Sequence, residues 1–142
     1  MSNEPETIQS MLRDSRIIAV VGMSDKETRA SYHIGKYLAK HGYRVVPVNP
    51  MVQVIDGATC YGDLDAAQAA VKAETGQGID LVNVFRASEN VPPIVDDVIR
   101  LGIPKLWLQD GVAHSEAVAK AEAAGVKCVQ NDCIYRRHAE QL

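Results

Sequence analysis

Residues 16–38, RIIAVVGMSDKETRASYHIGKYL, decide how the rest of the chain is read. Ile17-Ile18-Ala19-Val20-Val21 is an unbroken apolar run rich in β-branched side chains. Such a run predicts a strand buried on both faces, the kind that sits inside a parallel sheet. Gly22 ends it, and Met23 to Ala30 form a polar loop. A helix follows, with Ile34, Leu38 and His41 spaced to line one face and Ser31 placed to cap it. Strand, glycine turn, polar loop and helix open a nucleotide-binding βαβ unit. The chemistry is that of an anion site, because free backbone N–H groups and the positive helix end attract phosphate. Gly22 lacks a Cβ and lets a ligand come close, so a bulkier residue there is expected to block the ligand and spare the fold. Ser24, Thr28 and Ser31 add hydroxyls; Lys26 and Arg29 add charge. The fingerprint GxGxxG is incomplete, since Ser24 stands at its second glycine. Gly35 falls inside the helix, where it lets helix and strand pack closely. The same residues also suit an α/β turn that holds no ligand.

Outward from this unit the chain alternates regularly. A leading helix is expected over Glu6–Arg13, and a second strand over Tyr43–Val48 with Pro47 awkward inside it. Met51–Tyr61 reads as an irregular connection with a short extended piece at Val52–Ile55. A helix over Leu64–Glu74 has Asp63 as its cap and Leu64, Ala67 and Val71 facing inward. Strands follow at Asp80–Phe85, Lys105–Leu108 and Val126–Val129. Helices follow from Ser88, over Ser115–Ala124 and over Ile134–Gln141. The fold expected is α/β: a single Rossmann-like domain, 1–142, in three layers with a parallel sheet of about five strands. Ligands of such sheets sit at the C-terminal strand ends, near the switch in strand order. Those ends are Gly22–Ser31, Asn49-Pro50, Arg86-Ala87 and Gln109–Gly111.

Composition narrows the class. With 142 residues, 46% hydrophobic, 23% charged and a net charge of −3, the chain is ordinary for a globular protein and lacks a basic footprint for nucleic acid. No run of about 18 apolar residues predicts a membrane span, and the polar start MSNEPETIQS is unlike a signal peptide. Cys60, Cys128 and Cys133 are odd in number and lack a CxxC pair, which suits a reducing, cytoplasmic setting.

Nicotinamide dinucleotide sites usually place an acidic residue at the end of the second strand, where this chain has Asn49. That weakens an NAD(P) reading, although an amide can still bond a ribose or an adenine edge. Alongside it, the segments VVGMSDKETRASYHIGKYLAKHGYRVVPVNP, DLVNVFR, LWLQDG and NDCIYRRH occur in one order from about Leu12 to His138. Together they resemble the stand-alone coenzyme A-binding domain family, which is similar to the domain that opens the α subunit of succinyl-CoA synthetase. The resemblance implies a Rossmann-like fold that holds coenzyme A, free or acylated, across the strand ends. It implies that Gly22, Met23 and Ser24 meet the pyrophosphate and that Arg29 and Ser31 add phosphate contacts. It further implies that Asn49 and Pro50 line the adenosine side and that Phe85, Arg86 and Gln109 border the path of nucleotide and pantetheine. Many relatives have a small residue where this chain has Met23. The synthetases carry their phosphorylated histidine in another domain, so the resemblance speaks for binding, not catalysis. An accessory subunit serving a partner enzyme and an NAD(P)-binding oxidoreductase or redox sensor are the alternatives.

Catalytic candidates are few. His114 lies close in sequence to Asp110, as a general base would need. Cys133 opens the last helix, where a thiolate is favoured, with Asp132 beside it opposing that. His33 and His138 read as surface residues, His41 as part of a helix end, and Trp107, Cys60 and Cys128 as packing. No spacing for a metal site or a Ser-His-Asp set is present, and no catalytic residue is assigned.

Overall fold

The computed structural model of the protein describes residues 3–142. Its elements are α1 (Pro5–Arg13), β1 (Ile17–Val21), α2 (Ala30–Lys40), β2 (Arg44–Val48), β3 (Val54–Ile55), β4 (Ala58–Thr59) and α3 (Leu64–Thr75), then β5 (Leu81–Val84), α4 (Val91–Arg100), β6 (Lys105–Leu108), α5 (Ser115–Ala123), β7 (Lys127–Val129) and α6 (Ile134–Gln141). Five strands pair in parallel in the order β2-β1-β5-β6-β7. The fold is α/β and Rossmann-like, as the alternation predicts. The chain leaves β1 toward β2 and returns on the other side to β5, so the switch in strand order lies between β1 and β5.

β1 is central and all five of its residues are buried. Ile18, Val20, Leu81 and Trp107 pack against Ile8, Met11, Leu12, Leu38 and Ile134 of α1, α2 and α6. Ala19, Val82, Val84, Leu106 and Leu108 pack against α3, α4 and α5. Side chains that alternate between two covered faces explain why the strand runs are continuously apolar. Trp107 is fully buried and donates its Nε1–H to the Asp132 carbonyl at 2.9 Å, which ties β6 to the segment before α6. Among the described residues no helix is long and apolar enough to cross a membrane, and the three cysteines are unpaired.

Pro47 is tolerated because β2 is an edge strand. Its carbonyl points outward and accepts from Tyr61 N at 3.0 Å, so the missing N–H also lies on the outer side. Residues 51–61, expected to be irregular, instead hold the antiparallel hairpin β3-β4. Asp56 and Gly57 turn it with φ of 50° and 82°. An Asp-Gly pair is the strongest short hairpin signal, and it stood in the sequence. Tyr32 of α2 donates to Asp56 at 2.6 Å and Lys36 pairs with the same carboxylate at 2.9 Å. These contacts tie the hairpin tip to α2, and the bond to Asp56 pushes the Tyr32 hydroxyl up to about 12.

Three helix expectations change. Ser31 is not the cap of α2, which begins at Ala30 with Arg29 in the cap position. Ser88 does not cap α4 either; it begins a short 3-10 turn, and its hydroxyl accepts from Ala113 N at 3.0 Å. The inward face of α2 is Ser31, Tyr32, Gly35 and Leu38, while His41 is exposed and holds the Tyr37 carbonyl at 2.8 Å through Nδ1. Asp63, by contrast, caps α3 as expected and accepts from Ala66 N at 2.8 Å.

His138 is buried rather than on the surface, with Nδ1 2.8 Å from Tyr37 Oη and the Tyr43 ring beside it. Burial, and then the charge of His41 nearby, lower its pKa. The folded state therefore disfavours protonation of His138, and the contribution of the neutral ring to stability is complete above the unfolded value of about 6.5. As pH falls below that value the unfolded chain takes up the proton first, and stability is lost. The melting temperature is expected to fall from pH 7 to pH 5, and His138→Gln to flatten that slope. Equal slopes in the two proteins would show that His138 titrates as freely as in the unfolded chain.

Candidate functional site

The loop after β1 and the first turn of α2 form one wall of a cleft of about 630 Å³ above the C-terminal strand ends. Gly22, Ser24, Arg29, Ser31, Asn49 and Phe85 line it, so six of the ten sequence-predicted residues share one cavity. Gly22 and Phe85 form its floor at the switch between β1 and β5. The floor is tight: a Cβ on Gly22 would lie 2.5 Å from the Phe85 carbonyl oxygen, and Gly22 has φ of +88°. The expectation that a larger residue at Gly22 would spare the fold is therefore corrected.

The loop N–H groups are less free than the sequence suggests. Ser31 Oγ accepts from Ser24 N at 3.0 Å, Ser24 Oγ accepts from Lys26 N at 3.0 Å, and Gly22 N donates to the Val48 carbonyl at 2.7 Å. What remains open is the end of α2. No side chain caps it, and its first residues, Ala30 and Ser31, line the cleft. Three backbone donors of that first turn have no partner inside a helix. Lys26 and Arg29 are exposed at the rim and form no ion pair among the described residues. Asp25 also lines the cleft and subtracts from that positive field.

The other four residues are placed elsewhere. Met23 is turned into the core at 2% exposure, its side chain lying where a Cβ on Gly35 would be, 2.5 Å from its Cε. Gly35 thus makes room for Met23, and only the backbone of Met23 borders the loop. Pro50 and Arg86 line a separate hollow of about 280 Å³ that meets the cleft at Gly22. Gln109 borders a third cavity, which shares Phe85 with the cleft. Asn49 is a staple: its Nδ2 donates to the Met23 carbonyl at 3.0 Å and its Oδ1 accepts from Met51 N at 2.9 Å. Each end of the amide carries one such bond, of the two that it can make, and the side chain is held at the cleft wall. Met51 and Val52, which sequence reasoning passed over, complete the outer wall, and Met51 is 87% exposed.

The catalytic candidates are not brought together. His114 caps α5, with Nδ1 accepting from Ala117 N at 3.1 Å, while Asp110 pairs with Arg136. Cys133 precedes α6, and the neighbouring Asp132 carboxylate is met at 3.0 Å by both Arg136 and Arg137. Burial raises the pKa of Asp132, but the two guanidiniums and the Cys133 N–H outweigh it and hold the carboxyl below its ordinary range. Among the described residues no cluster of His, Cys, Asp and Glu could hold a metal ion.

Comparison with known proteins gives the family and the fold. The family model described as CoA binding domain matches residues 16–139. The uncharacterized protein YneT of Bacillus subtilis is 33% identical over 132 residues, covering 93% of this chain and 92% of that protein. A solved structure described as a hypothetical protein from Pyrococcus horikoshii OT3 is 32% identical with a TM-score of 0.85, covering 97% of this chain and 92% of that one. The ADP-forming acetate–CoA ligase I of Archaeoglobus fulgidus is 26% identical over 129 residues, covering 84% of this chain but only 18% of the ligase. The chain thus belongs to the CoA binding domain family.

Proposed function

We propose that this protein binds coenzyme A or an acyl-CoA in the cleft above β1 and β5. The observation that carries the reading is the end of α2, without a side-chain cap and open to the cleft beside Lys26 and Arg29, which form no ion pair among the described residues. Such a helix end with two cations suits a pyrophosphate. The adenosine end then lies toward Asn49, Pro50 and the exposed Met51, and the pantetheine arm runs past Phe85 toward Gln109. Met23 contributes backbone alone, and Arg86 approaches from the neighbouring hollow. Binding without turnover is part of the proposal, because His114 and Asp110 are engaged elsewhere. Cytoplasmic residence is too, on the strength of three unpaired thiols.

An NAD(P) reading fares worse, since an amide, Asn49, stands where a ribose-binding carboxylate is expected. The likeness to 18% of an ADP-forming ligase supports an accessory role as the second reading, in which the same cleft serves a partner enzyme. A thermal scan separates the ligand classes. Coenzyme A at about 100 times its dissociation constant is expected to add about 2.7 kcal/mol of stability and raise the melting temperature, with no shift from NAD or NADP. A shift with NAD and none with coenzyme A would overturn the reading.

A further inference from the structure

We propose that Cys133 captures the thiol end of the coenzyme as a mixed disulfide, in the cavity that adjoins the cleft. This rests on the coenzyme A reading and names a redox reaction for the same site. The cavity has a volume of about 380 Å³ and shares Ala30 and Phe85 with the cleft, so the two are continuous. Its position follows the strand order: Gly22 ends β1, Phe85 ends β5 and Gln109 ends β6. Strands lie about 4.8 Å apart, so Gly22 and Gln109 are separated by roughly 10 Å. That span is shorter than an extended pantetheine arm.

The walls are mainly apolar, with Ile34 and Phe85 among them. Gln109 is the polar group that matters. It is only 4% exposed, and its Oε1 accepts from Asn83 Nδ2 and from Ile134 N, both at 3.0 Å. The Ile134 N–H fixes which way round the amide stands. None of the hydrogen bonds of this side chain uses Nε2, so one end of a largely buried amide is open at the cavity wall. A donor open to an apolar-walled cavity can be met by an acceptor that enters it. The two amide carbonyls of a pantetheine arm are acceptors of the right kind.

Cys133 is the thiol on that wall. The segment that carries it is held rigidly: Trp107 grips the Asp132 carbonyl, and the Asp132 carboxylate takes the Cys133 N–H at 2.9 Å. Arg136 and Arg137 match the charge of that carboxylate, so it does not stand as an unbalanced anion beside an attacking sulfur. Neither of the other thiols borders the cavity. Burial pushes the Cys128 thiol up to about 12, and burial also raises that of Cys60.

The reaction is thiol–disulfide exchange with coenzyme A disulfide. The Cys133 thiol gives up its proton, and its sulfur attacks one sulfur of the disulfide. The bond between the two coenzymes breaks, and a bond forms between Sγ and one of them. The other coenzyme leaves as a thiolate and takes up the proton. The disulfide is the oxidant, and no further electron acceptor is required.

The test uses the reduced full-length chain with coenzyme A disulfide, read by intact mass and by peptide mapping without reductant. One coenzyme adduct per chain is expected, on the peptide that holds Cys133, removable by dithiothreitol and slowed by reduced coenzyme A. It is expected to form at least about tenfold faster than the adduct from oxidised glutathione, because binding raises the local concentration. Cys133→Ser is expected to lose the adduct and keep the rise in melting temperature with coenzyme A. An adduct on Cys60 or Cys128, or equal rates with glutathione disulfide, would overturn the inference. So would the absence of any adduct in a protein that coenzyme A still stabilises, and that result would leave the binding reading standing. Neither adduct nor stabilisation would overturn both.

Discussion

Gly22→Ala is expected to lower the melting temperature by roughly 10 °C and to abolish coenzyme A binding. The residue has φ of +88°, and a non-glycine residue in that region costs about 1–2 kcal/mol. The new Cβ would also lie 2.5 Å from the Phe85 carbonyl oxygen, which is backbone of the neighbouring strand end. That backbone cannot move away easily, because Phe85 N donates to the Val21 carbonyl at 2.8 Å. Overpacking of this kind adds about 1–3 kcal/mol. Each kcal/mol shifts the midpoint by about 2–4 °C at this size, which gives the stated fall. Relief of the clash spreads β1 from β5 at the switch point, so the cleft floor is lost with the stability. Gly125→Ala separates the two causes. Gly125 has φ of +92°, but nothing lies within 4 Å of its Cβ position. It is expected to show the smaller, conformational loss and to bind normally. Thermal melts and calorimetric titration of both variants check this. If the two melt alike and both bind, the approach to Phe85 carries no weight.

Arg29→Ala is expected to weaken coenzyme A binding by roughly tenfold to a hundredfold, with no change in melting temperature of the free protein. Hydrogen bonds to charged groups contribute about 1.5–3 kcal/mol, and about 1.4 kcal/mol is tenfold. Arg29 is exposed and has no ion-pair partner among the described residues, so its removal leaves no buried charge behind. Because the site is open to solvent, the difference between variant and parent is expected to shrink as salt rises. Titration at two salt concentrations reads both effects. An affinity equal to that of the parent at low salt would place the phosphates away from the α2 end.

The sheet was legible because its strands follow one rule. Continuous β-branched runs, interrupted by glycine-ended helices, leave little choice except a parallel sheet with two covered faces. Asp63 was legible as a cap for a local reason, since its partner Ala66 lies three residues away. The misread residues depend on partners far along the chain. His138 looked like a surface histidine because Tyr37 and Tyr43, which bury it, are about a hundred residues distant. Asn49 read only as a ligand contact, and its second task, holding the Met23 carbonyl, shows only in the fold. Gly22, Ser24, Arg29, Ser31, Asn49 and Phe85 could be gathered from sequence because each stands at or just beyond a strand end, and strand ends converge in this topology. Met23, Pro50, Arg86 and Gln109 obey the same rule, but their side chains leave in other directions. Position along the chain does not encode that direction.

The way β2 is finished has a bearing on solubility. An unpaired sheet edge is a template on which another chain can add a strand, and stacks of such additions grow into aggregates. On the outer side of β2, Pro47 offers no donor and its one acceptor is already taken by Tyr61. Beyond it, Asn49 N donates to the Tyr61 carbonyl at 2.8 Å, so the next rung is also filled. The opposite border, β7, is three residues long and begins with an exposed lysine, Lys127. The filled positions beside Pro47 and the shortness of β7 leave a foreign strand less backbone to pair with at either border.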